Sequence, residues 1–417
     1  MTENQQPSFW KSFGPGVLFA GAAIGNSHLV QSTRAGAMFG LGLLGLIVFT
    51  NVLKYPAFRF GAHYAGATGR SLISGYRQLG RWVVAIFALS EMFVMAIVIA
   101  ASALTTAAVG LAITGLDIDV RYLGVGITIF GSVILIIGGY SLLDRMSKVF
   151  VAVLTLATVF AAVLALPSIE WSVESLSMPP MDFKTFTFII ALMGFMPAAL
   201  SLSVLQSLWI VAKAEEGKTA ISYKQSILDF NIGFIGSTIL AVCFLIMGAG
   251  VLHPEGIEPA KSGGAFAAQV ITLYTTNLGE WTGVFVAMSA MMVMFTTLVA
   301  VLDGFPRTLT ACFFAIKNEK NNTQIDGSSV MTITTWILAA GAITVLLFFM
   351  KNFRDFIDFV TIAAFVVAPI TAILNHIVIT RYEVPVDKRP GRFLRLWSLT
   401  GIVLLSALSA GYFWQVL

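Results

Sequence analysis

The fold is decided by residues 14–37, which read GPGVLFAGAAIGNSHLVQSTRAGA. Only nine of them, 17–25, form a continuous apolar run. At about 1.5 Å per helical residue this run covers less than half of a roughly 30 Å hydrocarbon core. The following residues are mostly polar and include His28 and Arg34, yet apolar spans resume at once. This pattern is typical of a discontinuous transmembrane helix whose unpaired backbone groups line a cavity.

Composition places the whole chain in a lipid bilayer. Of its 417 residues, 57% are hydrophobic and 11% are charged, against about a quarter charged in soluble domains, and the mean hydropathy is +0.87. We therefore predict an all-α, multi-pass membrane protein with a single domain, 1–417. The net charge of +4 comes mainly from loop Lys and Arg, so it indicates orientation and no nucleic-acid partner. Cys243 and Cys312 are too few for a disulfide framework or a metal-binding knot.

Eleven apolar spans can be counted along the chain, with boundaries good to a few residues. The sixth carries Gly194 and Pro197 near its middle, so it is interrupted like the first. The predicted spans are about 14–34, 40–58, 82–103, 121–139, 147–166, 185–212, 227–252, 281–303, 329–350, 358–380 and 395–416.

Loop charges predict the orientation of these spans. With the N-terminus in the cytoplasm, nineteen of the 25 Lys and Arg residues fall in cytoplasmic segments and six outside, as the positive-inside rule requires. Lys54 is counted among the cytoplasmic charges and Arg34 among the outer ones. The odd number of spans then leaves Leu417 outside.

The two interruptions lie five spans apart, which indicates an internal repeat. If spans one to five (about 14–166) and six to ten (about 185–380) are repeats, their odd length gives them opposite orientations, with 395–416 as an extra helix. Both interruptions would then meet near the midplane, the usual place for a transporter binding site. The predicted break residues are Gly25, Ser27, Gly194 and Pro197. The alternative is that Gly and Pro are simply frequent in membrane helices.

Two motifs resemble a known family. Residues 14–37 are similar to the first helix of the Nramp divalent-metal transporters, which runs Gly-Pro-Gly, an apolar segment, Asp-Pro-Gly-Asn and a polar turn ending in Ala-Gly-Ala. Here residues 25–28 stand at the place of Asp-Pro-Gly-Asn, and Met196-Pro197-Ala198 at the place of the family's Met-Pro-His. Asp229 and the small residues 236–240 resemble the family's seventh helix less specifically.

The resemblance implies a LeuT-type fold of two inverted five-helix repeats, alternating access and proton-coupled uptake of Mn²⁺ or Fe²⁺. It also implies a single transport domain in a bacterial inner (plasma) membrane, and no cofactor apart from a transported metal ion. Carried over by position, the family's metal ligands become Gly25, His28 and Met196. Asn26, inside the same motif, completes the predicted substrate-binding set; its alternative role is to pair with loose backbone groups.

The chain differs from the family at positions of the two metal-binding motifs. The motif aspartate is replaced by Gly25 and the second-motif histidine by Ala198, so the predicted ligand set carries no negative charge. Such a site is expected to bind divalent metals weakly or to serve another substrate, an anion or a small polar solute. The sequence therefore predicts a divalent-metal transporter first, with a transporter of the same fold for an anion or small polar solute as the alternative. No catalytic constellation or soluble domain supports an enzyme or a sensor, and the oligomeric state is not determined.

Each ionisable residue of the predicted site has two possible roles. His28 is either a substrate ligand or a histidine that hydrogen-bonds a neighbouring helix. Glu91, deep in the third span, is either a proton carrier or a structural carboxylic acid. Asp303 and Arg307, four residues apart, form either a local ion pair or an inner gate, and Asp229 is read in the same way.

Overall fold

Helices are the regular secondary structure in the described part of the protein. The computed structural model describes residues 14–137, 140–216, 222–317, 325, 328–381 and 383–416, and no strand occurs among them. The helices are α1 (Pro15–Ala23), α2 (Thr33–Phe39), α3 (Leu44–Thr68), α4 (Leu72–Leu79), α5 (Arg81–Thr114), α6 (Val120–Ile137), α7 (Tyr140–Ala165), α8 (Phe183–Gly194), α9 (Leu202–Glu216), α10 (Tyr223–Met247), α11 (Gly263–Leu278), α12 (Gly283–Lys317), α13 (Ser329–Phe348), α14 (Phe353–Ile379) and α15 (Arg392–Val416).

Eight of these helices are long and apolar enough to cross a membrane. They are α5, α6, α7, α10, α12, α13, α14 and α15 among the described residues. The first, second and sixth predicted spans are not in this set: the first and sixth are divided, and α3 contains Lys54 and Arg59. The all-helical membrane architecture is thus confirmed, while the count of eleven crossings stays a prediction.

The first span is kinked and widened but not fully unwound. Wide π-helical turns, Ile24–Ser32, join α1 to α2, and within them Gly25 leaves helical geometry with φ −49° and ψ −118°. A Cβ atom at Gly25 would lie 2.6 Å from Cγ2 of Thr297, so the absence of a side chain lets α12 approach the kink. Ser27 lies within the same turns.

The sixth span is interrupted by a longer non-helical segment. α8 ends at Gly194 and α9 begins at Leu202, while 195–201 form no helix. Asp182 caps the start of α8, where its carboxylate accepts a hydrogen bond of 2.7 Å from the Thr185 amide. This bond holds the pKa of Asp182 below its ordinary value.

Both halves of the first span contact α10 backbone to backbone. A Cβ atom at Gly16 would lie 2.1 Å from the carbonyl oxygen of Asp229, and one at Gly36 would lie 2.0 Å from that of Leu245. Glycine also stands on the opposing side of each contact, since Gly233 faces Gly16 and Gly248, in the π-helical extension of α10, faces α2. Small residues allow membrane helices to approach this closely. We call the two contacts the glycine seams.

Two residues that the sequence places among the loop charges are buried inside the protein. α3 continues to Thr68, not 58, so Lys54 lies in mid-helix and is completely buried. α14 begins at Phe353, not 358, and buried Arg34 pairs with it through Asp358. The assignment of these two charges to loops is wrong, because both side chains find polar partners between helices. α12 likewise continues to Lys317, beyond the predicted end at 303.

Candidate functional site

A cavity of about 40 Å³ lies between the kink of the first span and the interruption of the sixth. It has room for more than one water-sized molecule. The polar side chains that line it belong to the kink, α5, the segment before α9, and α12; they are Asn26, Ser27, Ser102, Ser201 and Thr297. The apolar lining consists of Ala22, Ala23, Val98, Phe195, Ala198, Ala199, Leu202, Val301 and Phe305. The two interrupted spans therefore do meet around a hollow.

Asn26 is held in place by α5. The hydroxyl of Thr105 donates a hydrogen bond of 2.6 Å to the side-chain oxygen of Asn26, and the Asn26 amide nitrogen donates one of 3.4 Å to Ser102. Because the oxygen is already engaged, the amide group has a fixed orientation. Asn26 thus presents a positioned donor at the cavity.

His28 points away from the cavity. Its Nε2 lies 2.7 Å from the carbonyl oxygen of Ser237 on α10, and its Nδ1 lies 2.5 Å from the Ser27 hydroxyl. The ring is completely buried, and a carbonyl can only accept, so Nε2 carries a proton. Both ring nitrogens have protein partners, which is the geometry of the interhelical alternative.

Met196 also lies outside the cavity lining. Its side chain is completely buried in an apolar cluster with Met193, Ile190 and Phe365, while Phe195 and Ala198, on either side of it in sequence, line the cavity. Gly25 is not among the lining residues either. Of the predicted substrate set, the structure brings only Asn26 to the cavity, and Ser27 from the predicted break residues joins it.

The sequence prediction omitted three lining residues, Ser102, Ser201 and Thr297. Each is a hydroxyl residue within or beside an apolar span. The position of these residues within apolar spans was the available signal. However, most Ser and Thr hydroxyls in such spans bond the backbone of their own helix, as Thr106 does with the Ser102 carbonyl. The signal therefore could not separate lining residues from the others.

Glu91 is buried next to the site. Its carboxylate accepts a hydrogen bond of 2.8 Å from the Thr371 hydroxyl of α14, and Ser201, which lines the cavity, lies beside it. The carboxyl group therefore connects α5 and α14 to the interrupted span. It is placed one residue away from the cavity wall.

An ion pair between α2 and α14 lies outside the cavity lining. Arg34 donates two hydrogen bonds to Asp358, from Nη1 to Oδ1 at 2.7 Å and from Nη2 to Oδ2 at 2.9 Å. Gln31 donates to the same carboxylate at 3.0 Å and to Thr361 at 3.1 Å. The paired groups join the first span to α14 in bidentate geometry.

The predicted gating residues Asp229, Asp303 and Arg307 also lie outside the cavity lining. Asp229 accepts a hydrogen bond of 2.6 Å from the amide of Gly16, at the start of α1. Arg307 donates to Asp303 within α12 at 2.9 Å, and the indole of Trp209 in α9 donates to Asp303 at 3.3 Å. Asp303 therefore connects α9 with α12 in addition to its local pair.

The site offers neutral oxygen and nitrogen groups to a ligand. None of the described Asp, Glu, His, Cys or Met side chains lines the cavity. Among the described residues, no three His, Cys, Asp or Glu side chains lie together in a way that could hold a metal ion. Hydroxyl and amide groups orient a small polar molecule but do not neutralise a dication.

Solved structures and sequence families agree on the class of protein. The kinked and interrupted spans define a LeuT-type transporter fold, as in the structure of MhsT with L-phenylalanine (TM-score 0.65, 13% identity, 97% of this chain and 98% of that chain). A mutant of the manganese transporter of Eremococcus coleocola is similar as well (TM-score 0.62, 16% identity, 98% and 87%).

The chain belongs to the Nramp family, because residues 16–415 match the model of the natural resistance-associated macrophage protein-like family. An uncharacterised protein of Pasteurella multocida is 34% identical over 415 residues, covering 98% of this chain and 94% of the relative. The predicted family and LeuT-type fold are both confirmed.

Proposed function

We propose that this protein is a secondary transporter that carries a small polar solute, anions included, by alternating access. The observation that supports this most is the uncharged lining of the cavity between the two interrupted spans. The transported molecule would be recognised through hydrogen bonds from Asn26 and Ser102 and through a hydrogen bond to the oxygen of Thr297, whose hydroxyl proton is already donated to the Gly21 carbonyl. We further propose, from the loop charges, a cytoplasmic N-terminus in a bacterial plasma membrane.

The electrostatics of the cavity favour such a solute over a dication. A divalent ion loses hydration free energy on binding, and carboxylate ligands offset that loss better than hydroxyls do. α9 begins at Leu202, which lines the cavity together with Ser201. The positive end of this helix dipole attracts negative charge and repels cations.

Manganese or iron is the second candidate substrate, because the chain belongs to the Nramp family and resembles a manganese transporter in fold. In this case the ligands would be backbone carbonyls at the breaks and the Asn26 side chain, reached after rotation of the half-helices. Protons would be carried by Glu91. The lack of an acidic ligand at Gly25 places this candidate second.

The test is uptake into liposomes containing the purified protein. Small monocarboxylates, amides and zwitterions are first screened for an increase in Tm, and the best is then followed as a radiolabelled substrate beside Mn²⁺. Asn26→Ala and Ser102→Ala are expected to weaken binding about 2- to 10-fold each, the range for one lost hydrogen bond. The matched control is Ser132→Ala, since Ser132 is buried but bonds only its own helix α6.

Saturable Mn²⁺ uptake with no effect of any polar solute would contradict the proposal and favour the second candidate. Equal losses for Ser102→Ala and Ser132→Ala would show that the cavity lining does not recognise the substrate.

A further inference from the structure

A lysine lies completely buried in the middle of α3. Lys54 is the eleventh residue of the 25 in α3, and none of its side chain is exposed. Its Nζ donates hydrogen bonds to the carbonyl oxygens of Met193 and Gly194, the latter at 3.0 Å. These are the last two residues of α8, directly before the interruption of the sixth span.

No acidic side chain balances this ammonium group. Among the described residues no carboxylate forms an ion pair with Lys54. Buried cations are costly unless something compensates the lost hydration. Within the described part of the chain, the groups that Lys54 contacts by hydrogen bonds are the two main-chain carbonyls of α8.

The C-terminal end of α8 is suited to hold a cation. Carbonyl groups at a helix end lack amide partners and carry the negative pole of the helix dipole. In transporters with interrupted helices, these half-helix ends and the unwound carbonyls next to them coordinate the coupling ion. The ammonium of Lys54 therefore takes the position that physical chemistry gives to a bound monovalent cation.

We propose that the carbonyls of Met193 and Gly194 form part of a monovalent-cation site and that Lys54 fills it permanently. The charge is supplied by the chain itself, so the interruption is held together without an ion from solution. Transport by the native protein is then independent of Na⁺ and K⁺. Removing the Lys54 side chain would leave the two carbonyls able to bind a free cation from solution.

Three variants test this with purified, substrate-free protein. Lys54→Ala opens the space and exposes the carbonyls, and Lys54→Met fills most of the space without charge. Lys184→Ala removes an exposed lysine from α8, the helix whose carbonyls Lys54 contacts. Tm is measured in choline chloride and after replacement by sodium, potassium or methylammonium chloride at constant ionic strength.

We expect Lys54→Ala to lose stability in choline and to regain it with one of the small cations, in a saturable rise of Tm. Native protein, Lys54→Met and Lys184→Ala are expected not to respond in this way. The proposal is overturned if Lys54→Ala ignores every cation, if it yields no folded protein in any of the salts, or if the native protein responds as strongly.

A second measurement rests on the proposed function. Uptake by the native protein should be unchanged when sodium is replaced by choline, whereas Lys54→Ala should lose uptake in choline and recover it with the cation that raises its Tm. A native protein whose uptake requires sodium would overturn the proposal. If no solute is transported at all, the proposed function fails while the Tm series still decides the cation site.

Discussion

Gly25 stands where the Nramp motif has its aspartate, and Thr297 fills the space that a side chain would need. A Cβ atom at Gly25 would lie 2.6 Å from Cγ2 of Thr297 and 3.0 Å from its Oγ1. We predict that Gly25→Asp alone lowers Tm and that Gly25→Asp with Thr297→Ala regains part of it. The double variant should bind Mn²⁺ at least about tenfold more tightly than the native protein. An added binding free energy of about 1.4 kcal/mol from the carboxylate is enough for a tenfold gain.

Isothermal titration with Mn²⁺ measures this prediction, and Thr297→Ala alone is the control because it creates space without charge. Equal Mn²⁺ affinity of the double variant and the native protein would show that the missing carboxylate is not what sets metal preference.

Glu91 gives a second prediction at this scale. Its carboxyl group lies beside Ser201 at the cavity wall and bonds Thr371. If it carries the coupled proton, Glu91→Gln removes the pH dependence of uptake because an amide cannot release a proton in this range. Initial uptake rates across a pH series measure the effect. Thr371→Ala keeps the acid and is expected to keep a pH-dependent rate; an unchanged profile in Glu91→Gln would exclude Glu91 from coupling.

The limits of sequence reasoning are visible at His28. The sequence identified the polar kink, and Asn26 and Ser27 do line the cavity. His28 follows Asn26 by two residues, which is about half a turn of helix. Its ring therefore faces α10, where it meets Ser237. The direction in which each side chain of a widened helix points depends on the helices packed against it. A single sequence does not identify those neighbouring helices.

At the scale of helices, the glycine seams give a prediction of stability. Gly36→Ala places a methyl group 2.0 Å from the Leu245 carbonyl oxygen, between two main chains that cannot move aside separately. Overpacking of this kind costs about 1–3 kcal/mol. Gly236→Ala on α10 is the control, since no atom lies within 4 Å of the added Cβ. Thermal unfolding in detergent should show a lower Tm only for Gly36→Ala; equal values would mean the seam is loose.

The order of apolar spans and both interruptions were readable from hydrophobic patterning, because a bilayer requires long apolar runs. The short helices α4 and α11, which lie between spans, could not be predicted in this way, because neither is long enough to be recognised as a span. Helix ends were also misplaced: α12 continues to Lys317, through Pro306, because its polar residues bond to each other within the helix. Charge alone therefore did not mark a loop.

At the scale of the whole molecule, the ion pair between Arg34 and Asp358 is expected to keep one end of the site shut. Asp358→Asn retains the size of the side chain but leaves a buried arginine without its counter-charge. A cysteine introduced in the cavity by Ala198→Cys serves as the labelling site. We predict that it then reacts about tenfold faster with an impermeant maleimide added at the Arg34 side, as a shift of about 1.4 kcal/mol in the equilibrium between closed and open states would give.

Native Cys243 and Cys312 are both buried, so background labelling is low. Asp355→Asn is the control because Asp355 is exposed at the same end of α14. Unchanged labelling in Asp358→Asn would show that the pair is structural and does not gate the site.

The glycine seams also bear on how fast the molecule can switch. Where Gly36 of α2 meets α10, the atoms nearest to it are peptide groups, whereas α1 also contacts α10 through the Asp229 carboxylate and through Phe19, which packs against Phe230 and Phe234. Helices that slide past one another normally have to change rotamers along the contact. The contact at Gly36 does not need that step, so the activation barrier for parting α2 from α10 there is expected to come from rehydrating peptide groups and to respond to the lipid and water around the seam. Parting α1 from α10 additionally requires the Phe19 ring and the Asp229 carboxylate to separate from their partners.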